Sequence, residues 1–212
     1  GTYVVGYFTI TPVGATTSGY GTMTFDGAGA GTAQLRGNQE GVAVGPTSPV
    51  VAYSVADNGD VALSLDGTTA LEGGVLADGE LAVLGGAQGA GEDPLLIVLV
   101  RQGGSHDDSS LDSPYFLVGI TENAGFYTSF TGTLFADGAG GAELIGTSNA
   151  EGLVQISGPE AVTTAVGADG ALTLTTPSGD TFTGSLSSDG RFGVLSGPLN
   201  AGSNPGLFLM LR

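Results

Sequence analysis

The stretch "LADGELAVLGG" at residues 76–86 returns as "SSDGRFGVLSG" at residues 187–197, an offset of 111 positions. At the same offset "FDGAG" (25–29) falls on "ADGAG" (136–140), and "VADNGDVALS" (55–64) falls on "VGADGALTLT" (166–175). "DPLLIVLVR" (93–101) falls on "NPGLFLMLR" (204–212). Agreement over this length without a gap indicates a tandem duplication, so the fold has to be built twice.

Each copy carries short apolar-alternating runs separated by Asp-Gly or Asn-Gly. These pairs favour tight hairpin turns, because both central residues of such a turn need a positive φ. The pairs occur at the same internal spacing in both copies: Asp26-Gly27, Asn58-Gly59 and Asp78-Gly79, then Asp137-Gly138, Asp169-Gly170 and Asp189-Gly190. No stretch shows a sustained helical period, so the pattern predicts an all-β protein.

Eight strands are predicted in each copy. They are 3–11, 20–26, 31–38, 50–57, 60–66, 70–78, 80–86 and 94–101, then 115–122, 130–137, 141–149, 161–168, 171–176, 180–188, 191–197 and 206–212. Sequential antiparallel strands with short turns favour a closed up-and-down barrel, because closure removes exposed edges. We therefore expect two tandem eight-stranded antiparallel β-barrels: the first at 1–102, an acidic linker at 103–114, and the second at 115–212.

The first and last strands of each copy are apolar on both faces, as in "YVVGYFTI" (3–10) and "PLLIVLVR" (94–101). These strands are neighbours in a closed meander, so each barrel has an outward apolar seam that requires cover. We expect the barrels to pack on each other, seam to seam. Two alternatives stay open: a partner subunit covering the seams, and a sixteen-stranded membrane barrel. The second is disfavoured because most strands place Thr and Ser outward.

The charge narrows the classes of partner. The 212 residues include 21 acidic residues, four arginines and no lysine, and the formal net charge is −17. Such a surface repels phosphate backbones, so we expect no nucleic-acid partner. With no cysteine, thiol nucleophiles and disulfides are excluded. The start at Gly1, without a signal segment, predicts a processed mature form or a trimmed chain.

No catalytic constellation is found in the sequence. His106 is the single histidine and lies in the acidic linker, so we interpret it as part of a solvated segment, neither catalytic nor metal-binding. Calcium between the acidic loops is a minor alternative, as is a pair of catalytic carboxylates drawn from Glu72, Glu80, Glu143 and Glu151. We predict no enzyme activity, no cofactor and no metal.

Candidate contact residues come from the aromatic side chains and the longer connections. The Asp-Gly and Asn-Gly turns lie at one end of each barrel, and the longer connections lie at the other end, where we would first look for binding. We predict contacts with a partner or ligand from six aromatic residues: Phe126, Tyr127, Phe130, Tyr3, Tyr115 and Phe116.

In plan, the eight-strand meander resembles the lipocalin and avidin barrels. The Gly-x-Trp signature of lipocalins and the Trp-lined pocket of avidins are both missing, because the chain contains no Trp. The "FDGAG" hairpins also resemble Gly-rich tandem domains of secreted bacterial proteins whose role is unassigned. Neither resemblance transfers a binding residue to this chain.

We therefore expect an exported, non-catalytic structural or assembly protein at the cell surface or outside the cell, with the periplasm as an alternative. It would present apolar seams and long loops to partner subunits or to further copies of itself, and would not span a membrane. The alternative function is a lipocalin-like carrier that holds a small apolar ligand inside a barrel.

Overall fold

A computed structural model describes residues 1–10, 15–40, 42–86, 94–123, 126–198 and 205–212. The first copy contributes nine strands: β1 (Thr2–Ile10), β2 (Thr16–Phe25), β3 (Ala30–Gln39), β4 (Val42–Thr47), β5 (Val50–Val55), β6 (Asp60–Leu65), β7 (Thr69–Val75), β8 (Leu81–Gly86) and β9 (Leu95–Arg101). The second contributes β10 (Pro114–Asn123), β11 (Phe126–Ala136), β12 (Gly141–Ala150), β13 (Leu153–Val166), β14 (Ala171–Thr175), β15 (Thr181–Leu186), β16 (Phe192–Gly197) and β17 (Gly206–Leu211).

Both copies close into eight-stranded antiparallel barrels in up-and-down order, as the sequence predicts. In the second copy β10 to β17 follow one another around the ring, and β17 pairs with β10. In the first copy β9 pairs with β1, and β4 is an additional short strand attached to β3. The described residues contain no helix long and apolar enough to cross a membrane.

The turn chemistry explains why the strands reverse where they do. The glycine of each Asp-Gly or Asn-Gly pair has a positive φ, from 69° at Gly138 to 88° at Gly59. At Asp137 the carboxylate Oδ1 accepts hydrogen bonds from Ala139 N (2.8 Å) and Gly141 N (2.9 Å). Asp26 makes the equivalent bonds to Ala28 N and Ala30 N. The side chain therefore satisfies the turn amides that would otherwise depend on water.

Strands extend into several of the predicted connections. The loop expected between residues 122 and 130 is one of them, because β11 begins at Phe126 and places Phe126 and Tyr127 in a strand. Residues 41–49 and 151–160 were expected as long loops at the far end from the Asp-Gly turns, because Gly and Pro interrupt their apolar residues. Instead, β4 lies within the first stretch, and β13 runs as one strand of 14 residues through most of the second. Cross-strand pairing with β3 and β12 overrides the local Gly and Pro signals.

The segment between the barrels is also more ordered than a solvated linker. It contains a 3₁₀ turn, Asp108–Leu111, which is capped by Asp107 and seals the Asp-Gly end of the second barrel. Leu111 is buried in the core of that barrel, Val166 N donates to Asp108 Oδ1 (2.9 Å), and Gly138 N donates to Leu111 O (3.1 Å). We refer to Asp108–Leu111 as the plug.

The apolar seams cover each other, which confirms the predicted packing of barrel on barrel. Val4, Phe8, Val98 and Val100 of the first copy form one buried cluster with Val194 and Leu207 of the second. Gly6 allows this approach, because a methyl group there would lie 2.4 Å from Val194 Cγ2 and 2.6 Å from Leu207 Cδ1. The seams are thus used inside the molecule and leave other surfaces for partners.

Polar contacts between the two copies hold the barrels in one relative position. The nearly buried Glu80 accepts bonds from Ser188 N (3.1 Å) and Ser188 Oγ (2.7 Å), and its other oxygen lies 3.5 Å from Arg101 Nη1. Arg191, which occupies the position equivalent to Glu80, pairs with Asp78 of the first copy. Divergence at one repeat position has therefore placed opposite charges on the two copies where they meet.

Candidate functional site

The most exposed apolar segment among the described residues lies in the second copy, at the end opposite to the Asp-Gly turns. Every residue from 151 to 161 is exposed, including Leu153 (71%), Val154 (63%) and Ile156 (82%). Side chains on both faces of the strand are exposed, so this part of β13 stands clear of the barrel core. With the paired part of β12 it forms a hairpin that we call the arm, residues 146–157.

Local chemistry builds the arm as a tight hairpin. β12 and β13 pair continuously from Gly146 opposite Ser157 to Ala150 opposite Leu153. Positive φ values at Glu151 (51°) and Gly152 (86°) reverse the chain, and Gly152 N donates to Asn149 Oδ1 (2.9 Å). The pairing is irregular between Leu144 and Gly146, where a bulge places two residues of β13 opposite one residue of β12.

The outer side of the arm is an open sheet edge. β13 pairs with β12 along nearly its whole length, but it pairs with β14 only from Thr163 to Val166. Within the described ranges, no strand pairs with the other side of residues 153–162. Backbone N–H and C=O groups on that side can accept another strand. We call residues 153–162 the open edge.

The side chains of the open edge alternate between two faces. Leu153 lies across from Ala150 and Gln155 across from Ser148, on the face that continues the barrel interior. Val154 and Ile156 lie on the outer face, Ile156 across from Thr147, and the exposed Ile145 belongs to the same face further down β12. An added strand would therefore find aliphatic contacts on both of its faces.

Two carboxylates lie at the ends of the uncharged part of the exposed stretch. Glu151 in the turn and Glu160 near the far end of the exposed stretch are both exposed, and residues 152–159 between them carry no charge. With a net charge of −17 on the chain, the local potential favours a segment with basic rather than acidic ends.

The first copy has a shorter version of the same feature. β4 pairs with β3, and Val42 is exposed by 65%. However, β4 spans six residues and contains Pro46, and Pro49 separates it from β5. Proline has no N–H to offer an added strand and commonly protects sheet edges. The open edge of the second copy also contains a proline, Pro159, but residues 153–158 before it carry none, so the second copy offers the longer uninterrupted edge.

The six predicted contact residues do not form one surface. Phe126 and Phe116 are about half exposed. Tyr127 packs against the cluster between the barrels, whereas Phe130 packs against the core of the second barrel. Tyr3 and Tyr115 occupy equivalent places at the Asp-Gly ends of the two barrels.

Tyr115 was predicted as a contact residue, but its burial contradicts this prediction. Its side chain is completely buried beside the plug, and its hydroxyl donates to Gly190 O (2.7 Å). Tyr3 makes the equivalent bond to Gly79 O (3.0 Å) but keeps part of its surface exposed. Burial raises the pKa of both phenols, so both hydroxyls stay protonated as donors at neutral pH.

The residues considered for other chemistry are dispersed. Glu72, Glu143 and Glu151 are exposed, and Glu80 is engaged between the barrels. His106 is buried, not solvated as expected, with Nε2 3.0 Å from Gly103 O. Among the described residues, no three His, Asp or Glu side chains converge as a metal-binding group.

The open edge was not predicted from the sequence. The alternation in "LVQIS" (153–157) is the signal that could have revealed a strand, but it stands between Gly152 and "GPE" (158–160), which favoured a loop. The unpaired side could not be inferred from the sequence, because it depends on where β14 stops.

No protein-family model matches this chain, and no curated protein matches it. Among solved structures, it is similar to the kievitone hydratase from Nectria haematococca, with 8% identity, a TM-score of 0.29, and coverage of 100% of this chain and 89% of that chain. It is also similar to the isotype 1 transferrin binding protein B from serogroup B Neisseria meningitidis, with 9% identity, a TM-score of 0.25, and coverage of 100% and 76%.

Proposed function

We propose that this protein is a non-catalytic assembly module, exported to the cell surface or beyond, that binds a partner polypeptide by adding a strand to the open edge. The observation that carries the proposal is the continuous exposure of residues 151–161 on a strand whose outer side is unpaired in the described ranges. Proteins usually shorten, charge or cover such an edge, because it is a template for pairing with other chains.

The chemistry of the site defines the partner segment. Main-chain hydrogen bonds to β13 provide affinity, while Leu153 on one face and Val154 and Ile156 on the other select aliphatic side chains. Glu151 and Glu160 at the two ends of the uncharged stretch favour Lys or Arg at the ends of the added strand. The partner segment is therefore an extended, aliphatic strand of about eight residues with basic ends.

A second copy of this chain is a poorer occupant. Each copy carries a net charge of −17, so two copies repel each other at low ionic strength. Pairing of two β13 edges would also place the bracketing carboxylates Glu151 and Glu160 near one another. Light scattering at low and high salt separates this outcome from binding of a basic partner.

The experiment uses a designed peptide probe, Lys-Val-Thr-Val-Thr-Val-Thr-Lys, and the whole chain. We expect saturable binding that weakens as salt rises and that is lost when all peptide nitrogens of the probe are N-methylated. N-methylation removes the donors of both edges of the strand without removing aliphatic side chains. Equal binding by both peptides would contradict strand addition.

A matched pair of variants locates the site. Ile156→Lys places a cation on the open edge and is expected to weaken binding of the basic probe at least tenfold. Val50→Lys makes the same change at a similarly exposed valine (67%) whose strand is paired on both sides, and is expected to leave binding unchanged. Both positions are on the surface, so both variants should fold. Equal weakening by both variants would overturn the assignment.

A further inference from the structure

The two barrels differ at their Asp-Gly ends, although both ends descend from the same repeat. In the second barrel the plug inserts Leu111 into the core, and this side chain is almost fully buried. In the first barrel the same end contains an apolar cavity of about 200 Å³ that opens to solvent. The cavity lies in the first barrel, whereas the open edge belongs to the second, so this inference does not depend on the proposed function.

The residues around the two ends have diverged in a consistent way. Phe25 and Tyr53 line the cavity of the first barrel, and the positions 111 residues later are Ala136 and Thr164. The small residues leave room for the plug in the second barrel. The first barrel instead has three aromatic rings in edge-to-face contact: Tyr3 with Phe25 (5.4 Å between centroids) and Phe25 with Tyr53 (4.8 Å).

The polar atoms of these rings already have partners. Tyr53 Oη accepts a bond from Gly27 N (2.8 Å), and Tyr3 Oη donates to Gly79 O (3.0 Å). The other side chains of the lining are aliphatic, from Val55, Val61, Val75, Ala82 and Leu99. Gly1 and Gly27 complete it, and the ammonium of Gly1 donates to Phe25 O (2.7 Å). A ligand in this cavity would thus find aromatic faces and edges and aliphatic carbons, with both hydroxyl oxygens already in hydrogen bonds to the backbone.

We infer that the open end of the first barrel is a binding site for a small uncharged aromatic molecule of one or two rings. The size follows from the volume, because a dry apolar cavity of roughly 150 Å³ is enough to hold benzene. The aromatic class follows from the ring edges and faces of Phe25 and Tyr53. The absence of charge follows from the surroundings. The ammonium of Gly1 already donates to Phe25 O, and Asp26 and Asp78 in the neighbouring turns, with a net charge of −17 on the chain, disfavour an anion. The lining has no carboxylate to pair a cation.

The test titrates the isotopically labelled chain with toluene, indole and benzoate and follows the signals by NMR. We expect toluene and indole to shift signals of Tyr3, Phe25, Tyr53 and Leu99 with a dissociation constant below about 1 mM, and to leave Leu111 and Ala136 unchanged. Benzoate, of similar size but anionic, should not bind. Failure of both neutral probes to bind at this concentration would overturn the inference.

Two filling variants and a control test the location. Val55→Phe adds a ring at the rim and Ala82→Leu adds bulk from the wall; each should weaken indole binding at least tenfold. Val83→Phe makes the same change as Val55→Phe at an exposed neighbour on β8 and should have no effect. Indole that binds both filling variants as tightly as the wild type, or that shifts Ile10 and Leu96 instead, would refute this site. Ile156→Lys should retain indole binding, so the two proposals fail independently.

Discussion

Tyr7 lies over two glycines of neighbouring strands inside the first barrel. A methyl group at Gly19 would come within 2.4 Å of the Tyr7 ring, and one at Gly37 within 2.5 Å of its hydroxyl oxygen. The ring thus fills space that the glycines leave open. Burial raises the pKa of Tyr7 to about 12, because the phenolate would lose its hydration there.

This shift predicts a loss of stability in alkali. An unfolded tyrosine ionises near pH 10, so between pH 10 and 12 the unfolded chain releases a proton that folded Tyr7 keeps, and unfolding becomes easier as the pH rises. In Tyr7→Phe, the loss of unfolding free energy over this range should be smaller than in the wild type by on the order of 2 kcal/mol. Urea denaturation at each pH measures it, and identical slopes in the two proteins would contradict the expectation.

The turn carboxylate of Asp137 affects folding stability with the opposite pH dependence. Its hydrogen bonds from Ala139 N and Gly141 N lower its pKa, so it stabilises the fold above the unfolded pKa, and this contribution is lost as the pH falls through the folded pKa. Asp137→Asn keeps the turn, as Asn58-Gly59 does, but removes the charge. Its stability should change less than that of the wild type between pH 5 and 2. A parallel decline of both proteins would show that this carboxylate is not responsible.

For single residues, the sequence predicts turn positions well but burial poorly. Asp137 could be placed because the Asp-Gly preference is local. The burial of Tyr115 could not, because it depends on the plug, a segment whose polar composition indicated a solvated linker.

Among the elements, the plug has a measurable energetic role. Leu111 packs in the core of the second barrel, so Leu111→Ala should lower the free energy of unfolding by about 2–5 kcal/mol. Leu76→Ala, at an exposed leucine in a first-barrel turn, should cost much less. Denaturant unfolding compares the two variants, and similar small costs would show that the plug lies loosely on the barrel.

Most strands, but not all of them, could be predicted from the sequence. Alternation and turn residues locate all eight strands of each barrel. They miss β4 and the first half of β13, because Gly158 and Pro159 favour a loop while the partner strand β12 imposes extension. The arm, and with it the candidate site, therefore depends on strand pairing and not on local sequence preference.

For the whole molecule, close packing of the two seams depends on Gly6. A larger side chain there must move Val194 or Leu207, so Gly6→Val should destabilise the chain and increase the separation of the barrels. Gly85→Val is the matched control, since the nearest atom to its added carbon, Leu95 O, is 4.0 Å away. Small-angle scattering and denaturant unfolding test both variants. An unchanged separation and stability in Gly6→Val would contradict seam packing.

The seam itself follows from the sequence, because apolar residues on both faces of the terminal strands require cover. Which strands meet does not follow. The second copy contributes Val194 of β16 as well as residues of β17 and β10, and the Glu80 and Arg191 contacts select this arrangement only once the barrels are adjacent.

Strand addition is tested most directly by amide hydrogen exchange along residues 153–162, with and without the Lys-Val-Thr-Val-Thr-Val-Thr-Lys probe. In the free chain, alternate amides of this stretch should exchange rapidly, because their N–H groups point away from β12. The probe should slow exchange at those same amides and leave residues 42–47 less affected. Protection of every amide in the free chain, or protection by the probe elsewhere only, would contradict the account.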